Sequence, residues 1–449
     1  MIRRGRPAIA SLTFEIDASL DASAAVFAAR GLDWWFCMEQ PDRDRYALAG
    51  VGVAARIATR GPKRFAEAAQ RARALFRDAD CGDDLIGLPS GAGPVLCGGF
   101  AFADEGARTP EWAGFGGAQL VLPEMSILRR GERAWLTLCA AVEPDTGTAT
   151  AYVERLERRL ARLAPSSMPL IDPHPTRPPR VAGAAPPEHY EGAVARAVEL
   201  IARGDVRKVV LAREVRVHAA QPLEPAAVFG ALRDVFPSCF TYCVGHGEAA
   251  FIGASPELLV RRDGARAQTV ALAGTTRRSA DPSVDDHLGE QLLRSTKDRE
   301  EQAIVTARIE RTLSPVSLWV AAADEPVLVK VQNVQHLATP IRAQLREPAS
   351  AIELAGLLHP TPAVGGEPRD RAIRLIPELE GLDRGWYAGP VGWTDLSEDG
   401  EFCVALRGGL LRDRIAHLYA GCGIVRDSDP AAELAETEIK LQTMLPLLA

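Results

Sequence analysis

What most limits the folds open to this chain is how its strand-like segments follow one another. In the second half, β-branched or apolar runs lie at 206–215, 250–252, 258–261, 269–272, 327–334, 403–407 and 416–419. Several adjoin with only a turn between them. A parallel pair needs a crossover of about a dozen residues or more, usually a helix. Runs this close together predict antiparallel sheet, and an α+β class rather than a doubly wound one. Helical spacing predicts helices at 189–203, ending at Gly204, and along the stretches 285–313 and 430–448.

The first 163 residues mix the two signals. Residues 65–76 are rich in Ala and Arg and read as a helix, and Trp135-Leu136-Thr137-Leu138 reads as a strand. The run Gly98-Gly99-Phe100-Ala101-Phe102 reads as packed β-structure. Between 164 and 188, prolines stand at 165, 169, 173, 175, 178, 179, 186 and 187. Proline at this density continues neither a helix nor a central strand. Residues 164–188 are therefore expected to form an extended connector between an N-terminal part, 1–163, and a C-terminal part, 189–449. No repeat with the period of a solenoid or propeller is visible.

Composition removes several function classes. Lys and Arg number 52 against 59 Asp and Glu, a net charge of −7, which lacks the basic footprint of a general nucleic-acid binder. No apolar run reaches the ~18 residues of a membrane helix. The eight cysteines include no CxxC pair, so zinc-ribbon and thioredoxin-like readings have no support; each reads as a small buried apolar residue. The basic start, Met1-Ile2-Arg3-Arg4, is not followed by the apolar stretch of a secretory signal. A cytoplasmic location with reduced thiols is expected.

Some residues stand out for their chemistry. Asp429-Pro430 is a cap followed by a first-turn proline, and the predicted helix behind it carries Glu433 and Glu436. Asp298 and Glu301 repeat the i,i+3 spacing on another predicted helix, which puts each pair on one face. If the pairs face each other, they make an oxygen-rich site for a hard cation such as Mg²⁺; otherwise they are solvated faces, with Glu436 and Lys440 as an ion pair. Lys208 shares a strand face with Val206 and Val210, so it lies either at a wet edge or in a pocket that makes it a base. Glu257, at the mouth of the strand after Gly253-Ala254-Ser255-Pro256, is either a turn carboxylate or a general acid. The glycine-rich runs 359–366 and 419–425 match neither phosphate-loop nor dinucleotide fingerprints. Their glycines, with Arg407, are either plain turns or an approach to a carboxylate.

In this order, these pieces resemble the chorismate-utilising enzymes, and among them the isochorismate synthases. The residues that carry the resemblance include Lys208-Val209-Val210-Leu211-Ala212-Arg213, Gly253-Ala254-Ser255-Pro256-Glu257, Ala271-Leu272-Ala273-Gly274-Thr275 and Ser295-Thr296-Lys297-Asp298. They continue with Val334-Gln335-His336-Leu337, the glycine-rich run from His359, Arg384-Gly385-Trp386-Tyr387-Ala388-Gly389 and Ala405-Leu406-Arg407. Ala420-Gly421-Cys422-Gly423-Ile424-Val425 and the Glu433/Glu436/Lys440 helix complete them. The resemblance implies one large α+β domain of antiparallel sheets flanked by helices, with 164–188 an internal connection. It implies that water adds to chorismate at C2 while the C4 hydroxyl leaves, with Lys208 as base and Glu257 as acid. Mg²⁺ would be held by Glu301 and Glu436, with Asp298 and Glu433 beside them. Arg407, Gly421, Gly423 and Lys440 would hold the enolpyruvyl carboxylate or support the metal end, and Thr275 and His336 would lie near the ring.

Three positions bear on the branch of the family. Ala273 stands where lysine-type aminodeoxychorismate synthases carry a nucleophilic lysine. Ala271-Leu272-Ala273-Gly274-Thr275 departs from the Pro-Ile-Ala-Gly-Thr of anthranilate synthases. Ala363 replaces a threonine usual in enzymes that go on to eliminate pyruvate. The expected activity is therefore isochorismate synthase, an isomerase; the alternative is a salicylate synthase, which adds pyruvate elimination. Gln302 departs from a histidine that many relatives carry after the metal glutamate. With water as nucleophile, no amidotransferase subunit is expected, and the monomer is the family's common form.

Overall fold

The strand Trp34–Gln40 shows why this chain makes stacked layers. It is apolar at both alternating positions: Trp34, Phe36 and Met38 enter one core cluster, and Trp35 and Cys37 another. Successive side chains of a strand point to opposite faces, so this strand must be covered on both. The first cluster draws residues from both sheets of the fold, while the second packs under the helices Ala22–Ala29 and Pro225–Val235. The computed structural model describes residues 8–448 except 32, 78, 80, 82–86, 143–145, 164–165, 173–176 and 333.

Among the described residues there are two large sheets, and their strand pairs are antiparallel. The larger runs from Ala8–Ile16 through Trp34–Gln40, Phe240–His246, Ala249–Ser255, Gly408–Arg412 and Ile415–Ile424 to Lys208–His218 and Gly366–Glu367. The smaller runs from Ser317–Ala322 through Val334–Leu345, Arg266–Arg277, Leu258–Asp263, Gly400–Val404 and Pro390–Asp395 to Ala55–Thr59. Helices Thr296–Leu313 and Ala351–Leu358 pack on the smaller sheet. The class is α+β, as expected. Strands from before and after the proline-rich segment share both sheets: Trp34–Gln40 pairs with Phe240–His246, and Val95–Phe100 with Pro390–Asp395.

Several local expectations change. The stretch 285–313 is two helices, Pro282–Arg294 and Thr296–Leu313, broken at Ser295, which ends the first and caps the second. Residues 327–334 are not one strand, because Val327–Lys330 folds back on the start of Val334–Leu345. The last helix ends at Leu441. Among its described residues, the connector adds a short strand, Arg180–Gly183, beside Lys208–His218, and its last two residues open the helix Pro187–Ala202. Its Pro165, Pro173 and Pro175, and the basic start at 1–7, lie outside the described residues. Seven of the eight cysteines are buried.

Arg407 does not end a strand: Gly400–Val404 stops three residues earlier, and Arg407 belongs to a crossing between sheets. Two such crossings organise the centre of the molecule. Pro256 and Glu257 carry the chain from Ala249–Ser255 in the larger sheet to Leu258–Asp263 in the smaller. Ala405, Leu406 and Arg407 carry it back to Gly408–Arg412. The two are tied together. Ala254 N donates to the Arg407 carbonyl at 3.2 Å, and Val404 N to the Glu257 carbonyl at 3.0 Å. Ser255 Oγ donates to the Val404 carbonyl at 2.5 Å.

Candidate active site

Arg407 has φ +51°, in the left-handed region that residues other than glycine rarely take. Such strain costs about 1–3 kcal/mol and persists where the surroundings hold it. Here the tied crossings hold the backbone and His336 holds the side chain, with Arg407 Nη2 donating to His336 Nε2 at 3.1 Å. The other terminal nitrogen, Nη1, is buried with no partner. Burial lowers the Arg407 pKa, a desolvation cost that a bound carboxylate would offset.

Glu257, on the adjoining crossing, is 4% exposed. Burial pushes its pKa up to about 8, against the pull of Lys208, Arg407 and Lys440. It is therefore mostly a protonated acid at neutral pH.

Two helix N-termini bring in the acidic pairs. Ser295 caps Thr296–Leu313 by accepting from Asp298 N, and its hydroxyl donates back to the Asp298 carboxylate. Asp429 caps Pro430–Leu441 by accepting from Ala432 N at 2.9 Å, with Pro430 in the first turn. Asp298, Glu301, Glu433 and Glu436 all line one cavity with Glu257 and Arg407. Burial raises the Asp298 pKa, and Glu301 and Glu436 raise it further. Burial and Glu436 do the same for Glu433. The carboxylates are hard oxygen donors of the kind that suits Mg²⁺. Among the described residues, the three ligand groups that lie within 4.8 Å of one another are Glu433, Glu436 and the Cys422 thiol, with Asp298 and Glu301 farther along the cavity wall.

Lysines partner three of the four acids. Lys208 Nζ lies 2.8 Å from Glu301, Lys297 Nζ 3.5 Å from Glu433, and Lys440 Nζ 2.6 Å from Glu436. The Glu436–Lys440 ion pair and the acid cluster thus coexist. Lys208 is fully buried and ion-paired with Glu301, not at a wet edge. It does not line the cavity itself but stands behind Glu301.

Thr275, His336, Ala363, Arg407, Gly421, Gly423 and Lys440 line the same cavity. The two glycines are parts of the strand Ile415–Ile424. Gly421 offers its carbonyl to Lys440 Nζ at 2.9 Å. A Cβ on Gly423 would stand 2.7 Å from both Glu301 Oε1 and Lys208 Cε, so this position is kept clear for the Lys208–Glu301 pair. Gly423→Ala is accordingly expected to displace that pair and cut activity by about tenfold or more, with a stability loss of about 1–3 kcal/mol from overpacking. Steady-state kinetics and thermal unfolding of the variant check both. Gln302 is buried and bonds the Ala271 carbonyl at 2.9 Å and Thr339 Oγ1 at 2.8 Å, pinning its helix to the sheet.

Several lining groups have no chemical signal of their own in the sequence. Tyr387 and Tyr419 stack with centroids 5.3 Å apart and both face the cavity. Arg384 bonds the carbonyls of Val210 and Val364 at 2.8 and 2.9 Å, tying the Lys208 strand to the glycine-rich loop. Arg384 and Tyr387 lie in the run Arg384-Gly385-Trp386-Tyr387, and that run was the signal available. Lys297 stands in the acidic run itself and pairs across to the other helix.

Known proteins resemble this chain along most of its length. The family described as "Chorismate binding enzyme" matches residues 1–449. A Pseudomonas aeruginosa protein, "Salicylate biosynthesis isochorismate synthase", is 39% identical over 99% of this chain and 91% of its own length. The Bacillus subtilis "Isochorismate synthase MenF" is 36% identical over 80% of this chain and 75% of its own. The solved structure of MenF, the menaquinone-specific isochorismate synthase from Escherichia coli, superposes with a TM-score of 0.82 at 27% identity, covering 99% of this chain and 95% of that one. Matched along its whole length and this similar to such relatives, the chain belongs to the chorismate-binding enzyme family.

Proposed function

We propose that this protein is a Mg²⁺-dependent isochorismate synthase, an isomerase that adds water to chorismate at C2 as the C4 hydroxyl leaves. The observation that carries the reading is Glu257, a buried carboxyl with a pKa of about 8 beside an unpartnered guanidinium nitrogen. A leaving hydroxyl needs a proton, and an acid that keeps its proton at neutral pH can give one. Lys208, which stands behind Glu301 and not in the cavity wall, is the base that the family resemblance assigns to the incoming water. Arg407 takes a substrate carboxylate on its free Nη1, and Tyr387 and Tyr419 form an aromatic wall of the cavity. Glu301 and Glu436 would hold Mg²⁺, with Asp298 and Glu433 beside them. The ion, when bound, supplies positive charge against the second substrate carboxylate.

The similar proteins from Pseudomonas aeruginosa, Bacillus subtilis and Escherichia coli are isochorismate synthases by name, which supports isochorismate as product. The competing reading, a salicylate synthase, needs a further elimination, and Ala363 offers no hydroxyl at the cavity wall to orient it. The enzyme works without an amidotransferase subunit, because water replaces ammonia. Incubation with chorismate and Mg²⁺ is expected to give isochorismate without stoichiometric pyruvate. Release of salicylate and pyruvate together would favour the competing reading.

A further inference from the structure

His336 and Thr275 sit opposite each other on paired strands, where a register shift between Ala273 and Thr275 accommodates Gly274 at φ +72°. Both nitrogens of the His336 ring are engaged by the protein. Nδ1 lies 3.2 Å from the Gly274 carbonyl and 3.1 Å from Thr275 Oγ1, and Nε2 lies 3.1 Å from Arg407 Nη2. A guanidinium has donors only, so Nε2 must accept. The single proton of a neutral ring then sits on Nδ1, where the Gly274 carbonyl can receive it. The ring is 5% exposed and has no nitrogen left for substrate.

We infer that His336 is a positioning residue that holds Arg407 through an accepting Nε2, its Nδ1 proton anchored on the Gly274 carbonyl, so that the free Nη1 of Arg407 meets a substrate carboxylate while the imidazole transfers no proton. The inference rests on the chorismate reading above for the identity of that carboxylate. Charge agrees with it. Burial and the Arg407 charge push the His336 pKa down to about 3, with Lys440 adding to this and Glu436 opposing it. The ring therefore stays neutral where the enzyme works.

Two substitutions separate this role from acid–base chemistry. Glutamine can place its side-chain oxygen where Nε2 stands, whereas the shorter asparagine reaches only the Nδ1 position. His336→Gln is expected to keep kcat and KM within about threefold, and His336→Asn to raise the KM for chorismate about tenfold with a smaller change in kcat. An acid–base role would instead make His336→Gln lose kcat with KM unchanged, and that result would overturn the inference. A second readout needs no substrate. In NMR of protein labelled in its histidine ring nitrogens, one ring absent from the His336→Gln spectrum should show the Nδ1-protonated neutral pattern, unchanged from about pH 6 to about pH 8. An Nε2-protonated or titrating ring would equally refute it. Should chorismate not be the substrate, no variant turns it over, and the tautomer still decides the positioning claim.

Discussion

Replacing Lys208 with alanine is expected to lower kcat about a thousandfold, and Glu257→Gln by about a hundredfold to a thousandfold, the range for removal of a positioned base or acid. Glutamine keeps the shape of Glu257 but carries no transferable proton. KM should change little, because the substrate carboxylates are met by Arg407 and the metal end. Lys208 is also paired with Glu301, so its removal strips a buried cation from a proposed metal ligand; metal binding measured on the same variant tells that effect from loss of the base. The pH profile carries a sign. A carboxyl raised to about 8 is protonated below that pH and ionised above it. The requirement for this proton is therefore met below about pH 8 and is lost as pH rises through it, which sets the alkaline limb of the profile. In Glu257→Gln this alkaline limb should vanish. An unchanged limb in that variant would assign it to another group.

Removing the metal is expected to have as large an effect. EDTA should reduce turnover to background and Mg²⁺ should restore it. Four carboxylates around one cavity repel one another, and the three lysines beside them balance only three of the charges. Glu301→Gln and Glu436→Gln are each expected to weaken Mg²⁺ binding, followed by calorimetry, by at least about a hundredfold. Glu301→Gln also leaves Lys208 buried without its anion, so it should cost more stability than Glu436→Gln, which is half-buried beside Lys440. Full activity in metal-free buffer would remove the acid pairs from the mechanism.

The parts of this site visible in the sequence are those set by local rules. Capping residues and i,i+3 spacing place Glu433 with Glu436, and Asp298 with Glu301, on single faces whatever the rest of the chain does. The meeting of the two faces is a tertiary fact that no spacing contains; the family resemblance stood in for it. Ser295 shows the limit of periodicity. It caps one helix and ends another, yet its neighbours continue the helical pattern and hide the break. The crossing at 405–407 is concealed in the same way. Ala405 and Leu406 extend an apolar run, and only the positive φ of Arg407 marks the change of sheet. The burial of Lys208 depends on Glu301, a partner 93 residues away that its own strand does not announce.

On the proposed mechanism, solvent water activated inside this cavity becomes the new hydroxyl of the product. Turnover of chorismate in water enriched in the heavy oxygen isotope, with mass spectrometry of the product, tests it directly. One heavy oxygen in each isochorismate, located at C2, is the predicted result. A product that keeps only the oxygens of chorismate would mean that the hydroxyl migrates within the substrate, and would contradict the roles given to Lys208 and Glu257.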